Sequence, residues 1–223
     1  MKKILHLIFL IAVFLSSGGA QAQRAYDQFI TAVIRDDLST VRDLHARGLD
    51  LNTPDPDLNP ALVLALQRDA LAVARYLIAQ PAVDVNAVNA AGENALMMAA
   101  LRGHLDLVQQ LLARGAQVNR PGWTPLHYAA TNKGGHALAI TRLLLEHHAY
   151  IDAESPNRTT PLMMAARYGR EEVVRLLLEE GADPTLRNQQ ALDAIDFARQ
   201  VSRQNVVELI AAAIRARQPR GTW

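Results

Sequence analysis

The chain of 223 residues has no cysteine. Disulfides, thiolate nucleophiles and cysteine-based zinc sites are therefore excluded together, and stability has to come from packing. An excess of one charge is missing as well. The 23 Lys and Arg against 22 Asp and Glu leave +1, and removal of Lys2 and Lys3 would turn this to −1. A near-neutral chain lacks the electrostatic footprint of a nucleic-acid binder. There is no membrane-length apolar run: Ile4 to Leu15 is only a dozen residues, where a spanning helix needs about 20.

Chemistry-bearing patterns are equally scarce. Beyond the first residues the serines are Ser39, Ser155 and Ser202, with no Gly-x-Ser-x-Gly elbow to expose a nucleophile beside a base. Lys133-Gly134-Gly135 is too short for a phosphate loop and reads as an insertion. His147 and His148 are adjacent, so on a helix their rings point about 100° apart and do not share a metal. The expectation is an interaction with the carbonyls of a helix end. Met97-Met98 and Met163-Met164 could bind soft metals or react with peroxide, but core and groove packing is the plainer reading. Asp36-Asp37, Asp55 with Asp57, and Glu171-Glu172 read as solvated charge. No catalytic, cofactor or metal site is expected.

The first residues carry a different signal. Lys2 and Lys3, the apolar run, and then Ser16 to Gly19 ahead of Ala20-Gln21-Ala22 follow the layout of a secretory signal. Cleavage is expected between Ala22 and Gln23, delivering a soluble chain to the periplasm or beyond it.

The remainder is periodic. Ala95-Leu96-Met97-Met98-Ala99-Ala100, Thr124-Pro125-Leu126-His127-Tyr128-Ala129-Ala130 and Thr160-Pro161-Leu162-Met163-Met164-Ala165-Ala166 share one residue order. Each precedes a second apolar helix pattern that ends at Gly115-Ala116, His148-Ala149 or Gly181-Ala182. With Phe29, Leu62, Leu96, Leu126, Leu162 and Ile195 as equivalents, the spacings are 33, 34, 30, 36 and 33. Thr124 and Thr160 stand where an N-cap is needed, and Pro125 and Pro161 where a missing N–H costs nothing. Gly115, Gly181 and His148 stand where the second helix needs a positive φ to end.

These residues resemble the ankyrin repeat family, with its 33-residue unit and Thr-Pro-Leu-His-x-Ala signature. Only Thr124, Pro125, Leu126, His127 and Ala129 keep the whole signature; Met97, Met163 and Asp196 replace the histidine, which weakens loop-to-loop bonding there. The resemblance implies an all-α ankyrin repeat solenoid of about six helix-turn-helix units with β-turn connections and atypical end caps. The expected divisions are a signal peptide 1–22, an N-terminal capping repeat 23–54, and repeats 55–87, 88–119, 120–153 and 154–187. A C-terminal capping repeat 188–214 and a mobile tail 215–223 follow.

By the same resemblance, turn tips and the exposed side of each first helix would bind another protein. Trp123 leads the candidates, because its connection is three residues short and tryptophan dominates interface energies; packing on the next turn is the alternative. Asn59, Gln67, Arg68, Glu93, Leu101, Arg102, Tyr128, Thr131, Asn132, Thr159, Arg167 and Tyr168 complete the face. The expected function is that of a monomeric periplasmic adaptor or stabiliser of a partner protein. The alternative is a secreted effector or toxin-neutralising protein, and an enzyme is disfavoured.

Overall fold

The computed structural model describes residues 21–217. Among them, secondary structure is helical apart from an isolated bridge between Val88 and Asn94. Residues 1–20 of the expected signal peptide lie outside the described residues, whereas the expected cut between Ala22 and Gln23 falls within the first helix, residues 21–34. The described residues form two compact units, one up to Asp84 and one from Val85 on.

The first unit holds α1 (21–34), α2 (Leu38–Ala46), α3 (Ala61–Gln67) and α4 (Leu71–Ala79). Its core includes Phe29, Val33, Val41, Leu44, Leu64, Leu66 and Leu77, all sealed from solvent. Asp36 and Asp37, expected as solvated charge, are helix caps instead. The Asp37 carboxylate accepts from Thr40 N–H at 3.1 Å and closes the start of α2. Asp36 reaches the next repeat, accepting from the amides of Ala72 at 3.2 Å and Val73 at 2.8 Å in the first turn of α4. Both carboxylates thereby satisfy amides that a helix start leaves unpaired. Asp55, also expected as solvated charge, is buried, and it organises its turn by accepting from Asp57 and Asn59 N–H.

The second unit alternates short first helices with longer second ones: α5 (Ala95–Arg102), α6 (Leu105–Ala113), α7 (Pro125–Thr131), α8 (Ala137–Glu146), α9 (Pro161–Tyr168), α10 (Glu171–Glu179), α11 (Ala194–Arg199) and α12 (Gln204–Arg217). The first helices stack in a row, α5 on α7, α7 on α9 and α9 on α11. Alanine at Ala99, Ala100, Ala129, Ala130, Ala165 and Ala166, all fully buried, is what lets them approach. Asn94, Thr160 and Asp193 cap their helices by accepting from the third residue's amide, as the sequence suggested for Thr160. Thr124 starts α7 in a capping box with His127, whose Nδ1 lies 3.2 Å from the Thr124 backbone nitrogen and 2.9 Å from its hydroxyl. The endings agree with the sequence: φ is +78° at Gly115, +62° at His148 and +107° at Gly181.

The tail expectation needs correction at its start. Residues 215–217 continue α12, and the Arg217 guanidinium donates to the carbonyls of Leu178 at 2.9 Å and Ala182 at 2.7 Å. The last turn of α10 and the residues just after it thus gain a cationic donor. Residues 218–223 lie outside the described residues.

Candidate functional site

One histidine fixes the local frame. His127 is fully buried and its Nε2 lies 2.9 Å from the carbonyl oxygen of Thr159, thirty-two residues on in the next turn. A carbonyl only accepts, so Nε2 carries the proton. Nδ1 is then free to accept from Thr124 N–H at 3.2 Å. His127 is thereby a neutral imidazole used at both nitrogens. Burial lowers its pKa to about 4, against a smaller upward pull from its backbone partners.

That assignment predicts a pH dependence. An unfolded His titrates near 6.5, so between this value and about 4 the unfolded chain binds more protons than the folded one. The stability contributed by the neutral ring is full above 6.5 and is lost as pH falls toward 4. The urea midpoint should drop across this window, and drop less in His127→Met, the residue found at Met97 and Met163. Equal drops in both proteins would refute the assignment.

Over His127 lies Trp123, with ring centroids 5.2 Å apart and planes at 77°. The two rings wall an apolar cleft of about 280 Å³, completed by Leu101, Tyr128, Thr131 and Met164. Its walls come from α5, α7 and α9, three successive first helices. Tyr128 is held upright by its hydroxyl, which donates to Glu93 Oε1 at 2.8 Å, while Asn89 donates to Oε2 at 2.9 Å. Burial and the carboxylate push the Tyr128 phenol well above its usual range, so it remains a donor. Trp123 is half-buried: its ring meets His127 of its own repeat edge-to-face, and it also lines the open cleft.

The remaining candidates separate by burial. Leu101 and Tyr168 are exposed, at 38% and 40%, and Arg102 is exposed at the end of α5. Arg167 stacks on Tyr168 at 5.2 Å and donates to Gln200 at 2.5 Å. Asn132 and Thr159 are not surface residues. Asn132 is buried because its amide donates to the Ala100 carbonyl at 3.0 Å and accepts from Gly134, closing the inserted turn. Thr159 is buried because its backbone receives His127. In the first unit Arg68 is exposed and Gln67 half-buried at the end of α3, while the Asn59 amide is occupied by both oxygens of Asp55.

Two features escaped the sequence reading. The sequence groups Met164 with the other paired methionines as core and groove packing, not among the binding-face candidates, and it forms a wall of the cleft. The second is a set of equivalent side chains that clip each turn to the next. In the first unit Asn52 accepts from Asp84 N–H. In the second, Asn86 accepts from Gln117, Asn119 from Tyr150 and Asp152 from Asp183. Asn86 and Asn119 also donate, to Gly115 and His148 carbonyls at 3.3 and 2.7 Å. The available signal was an aliphatic residue followed by Asn or Asp in each unit, at Leu51-Asn52, Val85-Asn86, Val118-Asn119 and Ile151-Asp152.

The family model for ankyrin repeats (3 copies) matches residues 29–121 and 119–188, most of the chain. The chain belongs to the ankyrin repeat family. This ankyrin repeat protein is 39% identical over 142 residues to the ankyrin repeat protein YahD of Escherichia coli K12, covering 60% of the chain and 70% of YahD. It is 27% identical over 159 residues, 68% of its length, to the human transient receptor potential cation channel subfamily A member 1, of which it spans 14%. Among solved structures it is similar to a chain of the Bdellovibrio bacteriovorus complex of the predatory endopeptidase Bd0816 with immunity protein Bd3460. That likeness has a TM-score of 0.69 at 27% identity, covering 83% of this chain and 97% of the other. Ankyrin repeats are a scaffold for binding other proteins, and no helix among the described residues is long and apolar enough to cross a membrane.

Proposed function

We propose that this ankyrin repeat protein is exported to the periplasm and there, as a monomer, holds a partner protein as an adaptor or stabiliser through the Trp123 cleft. The observation that carries the reading is convergence. Leu101, Trp123, Tyr128 and Thr131 meet on one open apolar hollow, with exposed Arg102 beside Leu101 and with Arg167 and Tyr168 after Met164 in α9. Aromatic and arginine side chains around a desolvated pocket are the composition that dominates interface energies. Export is supported by Lys2, Lys3, the short apolar run and Ala20-Gln21-Ala22.

A second reading has its own support. The likeness to a chain from a complex of an endopeptidase with an immunity protein favours neutralisation of a hydrolase, with this protein as inhibitor.

One experiment separates these. The chain purified from periplasm, read from its N-terminus, should begin at Gln23 and carry its partner. Trp123→Ala should weaken that partner by about 2 kcal/mol, roughly 30-fold, with the urea midpoint nearly unchanged, and Arg102→Ala and Tyr168→Ala should weaken it less. Partner activity that is retained in the complex marks an adaptor, and activity that is blocked marks a neutralising protein. Unchanged affinity for all three variants would move the binding surface elsewhere, and a lost midpoint for Trp123→Ala would reassign that side chain to packing.

A further inference from the structure

The methionines of the described residues differ sharply in access. Met97, Met98 and Met163 are 0%, 3% and 1% exposed, whereas Met164 is half-buried on the cleft wall. The neighbouring pair shows the contrast most clearly. Met163 turns inward, and its sulfur accepts from Thr160 N–H at 3.4 Å at the start of α9. Met164 faces the same hollow as Trp123, Tyr128 and Leu101.

We propose that Met164 is a peroxide-sensitive modification site that switches the Trp123 cleft from apolar to polar. This inference rests on reading the cleft as the docking surface. In the reaction the thioether sulfur attacks the outer oxygen of a peroxide; the S–O bond forms, the O–O bond breaks, and a proton moves to the departing oxygen. Sulfur is oxidised by two electrons to the sulfoxide, and hydrogen peroxide is reduced to water.

The cleft is poorly equipped to receive the new oxygen. Tyr128 already donates to Glu93, Thr131 donates its hydroxyl to the Tyr128 carbonyl at 2.8 Å, and the His127 Nε2–H is given to Thr159. The indole N–H of Trp123 is the wall donor not engaged among the described hydrogen bonds. A sulfoxide there either takes that N–H or draws water into the hollow. Either outcome opposes the burial of an apolar partner side chain. Enzymatic reduction of the sulfoxide restores the thioether, so the switch is reversible.

The test needs no partner. With Trp223→Phe in the full chain, Trp123 is the only tryptophan, because the sequence holds two. Under limiting hydrogen peroxide, peptide mapping should show Met164 oxidised about tenfold or more faster than Met97, Met98 and Met163, following exposure. Trp123 emission should shift in step and return on treatment with methionine sulfoxide reductases A and B. Met164→Leu, with unchanged helix content, should show no shift. Equal oxidation rates at the buried methionines, or Trp123 emission indifferent to Met164 oxidation, would overturn the proposal. Failure of the docking reading is scored separately, by unchanged partner affinity in Trp123→Ala.

Discussion

Leu126→Ala should lower the free energy of unfolding by about 2 to 5 kcal/mol, the cost of a buried leucine and the cavity it leaves. Leu126 is fully buried in α7, which packs on α5, α8 and α9. Its equivalents Leu96 and Leu162 are sealed to the same degree, so no neighbour has slack with which to fill the gap. Because repeat arrays are held by nearest-neighbour interfaces, the loss should fall on three repeats at once and broaden the transition as well as shift it. Urea unfolding measured by helix content reads both effects. A change below about 0.5 kcal/mol, the level of an ordinary surface site, would mean that the register of the repeats is wrong.

Gly169→Ala should be as damaging, by about 3 kcal/mol or more, at the upper end of overpacking costs. The backbone there is ordinary, with φ −81°, so alanine meets no conformational penalty. From φ alone the substitution would be expected to stabilise by restricting the unfolded chain. The obstacle is space. A Cβ at Gly169 would stand 2.1 Å from the Ala130 carbonyl oxygen and 3.0 Å from the Ala165 Cα, both backbone atoms of packed helices. Gly115→Ala is the control: φ is +78° with nothing within 4 Å of the added carbon, so it should cost only the left-handed strain of about 1 kcal/mol. A Gly169→Ala protein as stable as the parent would show that α7 and α9 do not approach so closely.

The residues explain how far the sequence could be read. Hydrophobic period, the Thr-Pro pairs and the Gly-Ala endings are local signals, and they predicted helices that the structure contains. The close approach at Gly169 was not legible, because it depends on where Ala130 lies, and nothing near Gly169 in sequence differs from an ordinary turn glycine. Burial of Asn132 and Thr159 was missed for a related reason: polar type suggested the surface, while each contributes to a hydrogen bond with a residue about one repeat away. Asp36 and Asp37 read as charge and act as caps, since a carboxylate serves either use and only its neighbours decide. The cleft was legible in its members Leu101, Trp123, Tyr128 and Thr131 but not as a hollow. Met164 joined it because equivalent positions of successive first helices converge there.

The repeat containing α7 conserves its length while redistributing it. Four positions separate Asn119 from Trp123, where seven separate Asn86 from Glu93 and Asp152 from Thr159. Between α7 and α8 the chain spends five residues, 132–136, where the links between α5 and α6 and between α9 and α10 use two. An array of identical units offers a bound partner several energetically equivalent positions, each one repeat apart, and permits sliding between them. Here a shortened connection before α7 and a lengthened one after it occur together and once within the second unit. A partner shaped to both fits in a single alignment, and displacement by one repeat forfeits both fits. The paired deletion and insertion therefore act as an index mark that gives a periodic surface an origin.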